Sequence, residues 1–317
     1  MDFGAVHHPA ARCRGRATRL PSVTFDEGGS FEGGRVRTRR GGRIAAGGGI
    51  GALVVAVLAI VLNQSGNGEL ASVLQGVAGG GQEQGEIGTV GDCTAEQANE
   101  QRDCRLSATL QALDAYWAQE LPPAGAQFAE PPAEAFEGQT TTGCGNATAA
   151  TGPFYCPPDQ TIYLDLGFYD LLQSQFGAQG GPLAEMYVTA HEYGHHVQNL
   201  TGVMDQAQRQ GSGADSDSVR VELQADCYAG MWVGNAATQV DPDTGVTFLE
   251  PITAEELQQA LSAAEAVGDD HIQQQSGGDV NPHTWTHGSS EQRQRWFTTG
   301  YEQGSMAACD TFATDDL

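Results

Sequence analysis

His191, Glu192 and His195 stand in the order H-E-x-x-H, in the run His191-Glu-Tyr-Gly-His195. Residues four apart on an α-helix share a face, so two imidazoles at this spacing can reach one Zn²⁺. The acid beside the first histidine leans toward the same point, where it can act as a general base on water. A catalytic zinc needs a third protein ligand and one open position. Glu222 and Asp226, in Glu222-Leu-Gln-Ala-Asp226, are again four apart, so one can complete the metal site while the other orients a histidine through its free ring N–H. Spacing alone leaves open which acid does which. The chemistry within reach is metal-assisted hydrolysis with one Zn²⁺ per chain. His287, in Thr286-His-Gly-Ser-Ser290, is a candidate donor to a developing oxyanion. His196 lies about 100° around the helix from His195, which places it beside the site or in solvent and not on the metal.

These residues need helices to hold them. Gly180-Gly181-Pro182 opens a helix that closes near Thr201-Gly202 and carries the H-E-x-x-H run. A second, over Ser218 to Asn235, carries Glu222 and Asp226. Capping boxes at Thr253-x-x-Glu256 and Ser289-x-x-Gln292 start two more. Upstream, Leu106, Leu110, Leu113 and Trp117 recur at helical spacing and predict one helix across 95–119, ended by Pro122 and Pro123. The proline- and glycine-rich stretch 121–160 reads as irregular, Thr161–Leu166 as a strand, and Phe168–Phe176 as a short helix. That strand precedes the metal-binding helix and is either an edge to which a peptide could add or a core strand. The fold class is α+β, helix-rich with a small sheet.

HEYGHHVQ, ELQADCYAGMW and HGSSEQRQRWFTTG, preceded by TGPFYCP and YLDLGFYDLL, resemble in type and order the bacterial neutral zinc metallopeptidases of the YpfJ type. The resemblance covers about residues 140–312 together with an apolar N-terminal segment. It implies a zincin-like, membrane-anchored peptidase in which His191 and His195 bind zinc and Glu192 is the catalytic acid–base. The E-x-x-A-D segment also resembles that of membrane peptidases of the Ste24 and HtpX type. That resemblance makes Glu222 the third ligand and Asp226 the support of a histidine. The expected substrate is a peptide or protein. The rival expectation is a zinc-stabilised binding module that cleaves nothing; retention of Glu192 argues against it, because a structural zinc is closed by four ligands and has no use for a base.

The chain has 317 residues and a formal charge of −25. Residues 1–43 hold nine Arg against four acids, leaving six Arg against thirty-six acids in the rest. So acidic a body repels phosphate backbones, which excludes a nucleic-acid partner. Ile44–Leu62 is a run of nineteen uncharged, mostly apolar residues, long enough for one membrane span. Arg35, Arg37, Arg39, Arg40 and Arg43 precede it and no cation follows closely, so the positive-inside bias puts the N-terminus in the cytoplasm and the body outside. The expected organisation is a disordered Arg/Gly-rich tail (1–43), a transmembrane helix (44–62), a flexible stalk (63–91) and a metallopeptidase domain (92–317). Six cysteines follow the span, an even number on the side expected to be oxidising. Cys93 with Cys104 and Cys144 with Cys156 are close in sequence, which leaves Cys227 for Cys309.

Overall fold

A computed structural model describes residues 25–40, 86–209 and 211–317. The N-terminal strands β1 (Ser30–Phe31) and β2 (Val36–Arg40) are followed by β3 (Glu86–Thr89), β4 (Cys93–Thr94) and the helices α1 (Ala95–Glu100) and α2 (Arg102–Glu120). Strands β5 (Ala133–Glu137), β6 (Gln139–Thr142), β7 (Gly145–Thr148), β8 (Phe154–Cys156) and β9 (Thr161–Asp165) come next. The rest is helical: α3 (Phe168–Ser174), α4 (Pro182–Leu200), α5 (Val203–Gln206), α6 (Asp217–Ala236), α7 (Ala254–Ala266), α8 (Asp269–Gln275) and α9 (Ser290–Gln303). The mixed α/β class is as expected, with the sheet larger than the sequence suggests.

Five strands pair in the order β3-β2-β5-β9-β8. β2, β5 and β9 run parallel, and β3 and β8 close the two edges antiparallel. β9 alternates: Ile162 and Leu164 join the main core under the helices, while Tyr163 faces the other way with Phe136 and Phe154. The β6–β7 hairpin contributes Ala147 to that second, smaller cluster. The stretch 121–160 is therefore not irregular: β5 to β8 lie within it. Its strands are short, and β5 (AEAFE) and β7 (GNAT) are built largely from Ala, Glu, Gly and Asn, residues depleted in strands; β5 is held by pairing with the distant β2, and β6 and β7 by pairing with each other. Of the two readings of β9, edge or core strand, the second holds: β9 is internal, and the edge on that side is β8.

The helix expected across 95–119 is two helices, broken at Gln101 in extended conformation (φ −112°, ψ 128°). The Cys93–Cys104 disulfide explains the break, because it holds the two Cα atoms 5.7 Å apart. A straight helix would put residues 95 and 104 about 14 Å apart along its axis, so the chain must double back. The other bridges are Cys144–Cys156 and Cys227–Cys309, which makes all three the pairs expected.

Residues 25–40, expected to belong to a disordered tail, are part of the fold. Phe25, Phe31 and Val36 are buried in the main core, and β2 lies between β3 and β5. The basic residues of this arm meet acids of the body: Arg35 forks onto Asp114 at 2.8 and 3.0 Å, and Arg39 reaches Glu134 at 3.0 Å. Residues 86–89, expected in the stalk, form β3. Arg40 pairs with Glu86 and Thr38 with Gly88 across the β2–β3 ladder. A chain that crossed a membrane once between residues 44 and 62 would leave β2 and β3 on opposite sides, so a single crossing and this ladder exclude one another. Segment 44–62 itself lies outside the described residues, and among the described residues no helix is long and apolar enough to span a membrane.

α4 is the centre of the helical part, packed against α2, α6, α7 and β8. Pro182 at its first turn follows Gly181 at φ +127°, a conformation that glycine tolerates. α4 and α6 come close at Gly194, where an added Cβ would lie 3.0 Å from the Ala225 carbonyl oxygen. α6 and α9 are closer still: a Cβ on Gly230 would overlap the Phe297 carbonyl, and one on Gly300 the Cys227 carbonyl. α9 starts at the expected capping box, Ser289 with Gln292. Three helices are thereby held side by side, and the chemistry lies between them.

Candidate active site

Along α4, Tyr187, His191, His195 and Gln198 follow one another on one face, and α6 runs antiparallel to it, bringing Asp226, Glu222 and Gln224 alongside. Nδ1 of His191 lies 2.7 Å from Oδ1 of Asp226, and its Nε2 lies 3.1 Å from Oε2 of Glu222. Nδ1 of His195 lies 2.9 Å from Oε1 of Gln198, and its Nε2 lies 3.5 Å from Oε1 of Glu222. The Gln198 amide is itself oriented, since its Nε2 donates to the Val221 carbonyl and to Oε1 of Gln224. An ionised carboxylate and an amide oxygen only accept, so both histidines donate from Nδ1. Each Nε2 is thereby aimed at Glu222.

That geometry tests whether a metal fits. Neutral rings in this tautomer present two lone pairs to a carboxylate, and one donor atom from each of the three residues falls within 4.8 Å of the others. Acceptors facing acceptors need positive charge between them. Burial works against a charge on His191, yet the carboxylates of Asp226 and Glu222 outweigh it and push its pKa up to about 10. Burial likewise opposes the charge on Glu222, and His195, His287 and His191 together hold its pKa well below the ordinary value. A proton on His191 satisfies one such contact, whereas a divalent cation satisfies both. His191, His195 and Glu222 can hold a metal ion.

Asp226 is fully buried and held by more than a histidine. Arg293 of α9 donates to it from Nε at 2.8 Å and Nη2 at 3.0 Å, and the Tyr187 hydroxyl donates at 2.5 Å. Burial favours the protonated acid, but Arg293 and His191 override it and hold the pKa at about 2. Asp226 therefore stays charged and keeps His191 in one tautomer. Sequence reasoning missed Arg293, Tyr187 and Gln198. Tyr187 and Gln198 carried a signal, since they stand four before His191 and three after His195 on the same helical face.

Glu192 lines the same cleft and makes no side-chain hydrogen bond among the described residues, which leaves its carboxylate for substrate or water. His287 also lines the cleft, with its side chain 46% exposed and its Nδ1 3.4 Å from Oδ1 of Asp269. Desolvation opposes charge on its ring, but Glu222 and Asp269 raise its pKa. His196, expected beside the site or in solvent, is 1% exposed and bonded to the Tyr155 hydroxyl at 3.1 Å and the Ala129 carbonyl at 2.7 Å. It belongs to the packing behind α4. His271 and His283 are not in the metal cluster.

Two imidazoles and a carboxylate that could hold a metal ion converge beside Glu192 in an open cleft of about 570 Å³. Residues 22–312 match the family described as "Putative neutral zinc metallopeptidase", and the chain belongs to that family. It is 53% identical over 224 residues to the protein Rv2575 of Mycobacterium tuberculosis, covering 71% of this chain and 75% of that one. It is 43% identical over 211 residues to the protein YpfJ of Escherichia coli, covering 65% and 70%. No solved structure matches the chain. The family match begins before β2, in agreement with the place of the N-terminal arm in the fold.

Proposed function

We propose that the protein is a zinc endopeptidase of zincin-like arrangement, with His191, His195 and Glu222 as ligands and Glu192 as general base. The observation that carries this reading is that both Nδ1 donors are engaged, so that both Nε2 atoms face Glu222, while Glu192 stands free in the open cleft. His191, His195 and Glu222 would hold a zinc ion, which would supply Lewis acidity to a water molecule and to a scissile carbonyl. Glu192 accepts a proton from the attacking water and returns it to the leaving amine. His287 reaches the cleft from the loop before α9 and can donate to the oxyanion that develops on the carbonyl. Asp226 and Gln198 hold the two imidazoles, and Arg293 keeps Asp226 ionised. β8 is the sheet's edge, and Phe154 and Tyr155 on it line the cleft, which supports strand-like addition of an extended peptide there.

Three disulfides support a body that lives in an oxidising, extracytoplasmic compartment. We infer membrane attachment through the apolar run 44–62, with β2 and β3 on the body's side. The test is zinc content and casein proteolysis by the full chain, because residues 25–40 are part of the fold and a fragment that lacks them is incomplete. About one zinc per chain and proteolysis that disappears in Glu192→Gln, with zinc retained, is the expected result. Zinc binding without proteolysis in the native protein would instead describe a zinc-stabilised binding module.

A further inference from the structure

We propose that the cleft contains a chamber for one large apolar side chain of the substrate, on the N-terminal side of His191 and walled by Phe168, Leu171, Phe176, Val188 and Ile272. The proposal rests on the peptidase reading above and names its substrate class: extended segments with an aromatic or large aliphatic residue beside the scissile bond and no acids near it.

All five side chains line the cleft that holds the metal residues. Val188 is three before His191, on the same face and one turn closer to the start of α4. α3 is tied to this half of α4, since the Tyr169 hydroxyl reaches the Glu185 carbonyl at 3.4 Å. α8 is tied to the segment after α3 by His271 Nε2 at 2.9 Å from the Phe176 carbonyl. α3, α8 and the first half of α4 thus close around one space. Because α6 runs antiparallel to α4, its early residue Ser218 lies toward the other end of α4. With Ser218 the cleft also has Arg209 and Ser212, so the large apolar residues gather toward one end, where Gln175, Asp269 and Gln273 stand beside them.

Phe168, Leu171, Phe176 and Ile272 are each only half-buried, so their remaining apolar surface faces the cleft. Among the described residues elsewhere, the large exposed apolar residues, Ile87, Val240, Val280 and Phe312, are scattered singly. Gathered apolar surface beside a polar site is the pattern of a recognition pocket. The five wall residues carry no cation to compensate a buried acid: Arg293, which also lines the cleft, is already paired with Asp226, and Asp269, one turn before Ile272 on α8, adds a negative charge. The chain's charge of −25 repels acidic segments before they reach the mouth.

The experiment uses the zinc-loaded full chain on a mixture of unfolded peptides, with cleavage sites read by mass spectrometry and Glu192→Gln as the blank. Large apolar residues should exceed Ala and Asp at one position flanking the cleaved bond by about 10-fold or more. Leu171→Asp and Ile272→Asp put a carboxylate into the wall and should lower the ratio of kcat/KM for a Phe peptide over its Lys counterpart by about 100-fold. A cleavage profile indifferent to side-chain size, or one unchanged by both substitutions, overturns the chamber. A second measurement stands apart from turnover: peptide hydroxamates bearing a benzyl side chain should bind about 10-fold or more tightly than those bearing a methyl. Equal affinities overturn the chamber. No cleavage of any peptide together with retained discrimination between hydroxamates would sink the peptidase reading and leave the chamber standing.

Discussion

At the scale of single residues, the metal site is a matter of which ring nitrogen is spoken for. Asp226 and Gln198 each take one Nδ1 proton, and the two Nε2 atoms are left facing Glu222. The pair differ in kind, because Asp226 also carries the charge of Arg293, deep in the protein. Replacing Asp226 by Asn should weaken zinc binding by about 10–100-fold, as loss of an orienting partner does, measured by competition with a chelator. It should also destabilise the fold by about 3–5 kcal/mol, since Arg293 is left buried without its counter-charge. Glu222→Ala should cost much more zinc affinity and less stability, and a reversed order would exchange the roles of the two acids. The residues that could hold a metal ion were legible in the sequence because helical spacing puts His191 with His195, and Glu222 with Asp226, on one face of each helix, but spacing alone did not rank the two acids. The resemblance of the E-x-x-A-D segment ranked them; what the structure adds is the contact of Asp226 with Arg293, sixty-seven residues away, a distance no local pattern encodes.

At the scale of elements, helix ends were read well and strands poorly, for a physical reason. A helix start is local: Thr253 bonds Glu256 and Ser289 bonds Gln292 within one turn. A strand is made by its partners, and β2 pairs with β5 about a hundred residues on. The helices in turn are spaced by what glycine omits. Gly300 faces the Cys227 carbonyl with no room for a Cβ, so Gly300→Ala must push α9 away from α6 even though alanine is the better helix former. The expected net loss is about 1–3 kcal/mol, read as a fall in Tm of about 2–4 °C per kcal/mol, with weaker zinc binding because Arg293 travels with α9. Cys227 also anchors the ligand helix to the C-terminal segment, where Gln224 donates to the Cys309 carbonyl at 3.0 Å. The loop it closes, with a separation of 82 residues, makes that bridge worth about 4–5 kcal/mol on the loop-entropy model. Cys309→Ser should lose stability on that order and zinc affinity with it, whereas Cys93→Ser should lose stability and leave zinc affinity nearly unchanged. Equal effects of the two on zinc, by titration, would separate the bridge from the site.

At the scale of the whole molecule, the N-terminal arm and the body are one folded unit, and this bears on how the protein meets a membrane. Charge and hydropathy pointed to a basic cytoplasmic tail ahead of a single span, and each signal was sound locally. The arginines have a second use, however. Arg35 binds Asp114, which also accepts from the hydroxyl of Tyr193 at 2.7 Å, so the arm braces the helix that carries the metal histidines. Arg39 and Arg37 approach Glu134 of β5. Residues flanking the apolar run are cross-strand partners, and partners lie on the same side of any bilayer. Thr38 and Gly88 pair directly, and a Cβ at Gly88 would point to Oγ1 of Thr38 at 3.0 Å. In a Cys13→Ser background, Thr38→Cys with Gly88→Cys in the full chain should therefore form a disulfide in intact cells, since opposed strand residues bring their Cβ atoms within bonding range. Non-reducing peptide mapping reads it directly. If the thiol introduced in β2 instead stays reduced and is labelled only after the cytoplasm is opened, while the thiol introduced in β3 is labelled from outside, the chain crosses once and β2 does not pair with β3. The bridge, if formed, places arm and body together on the oxidising side.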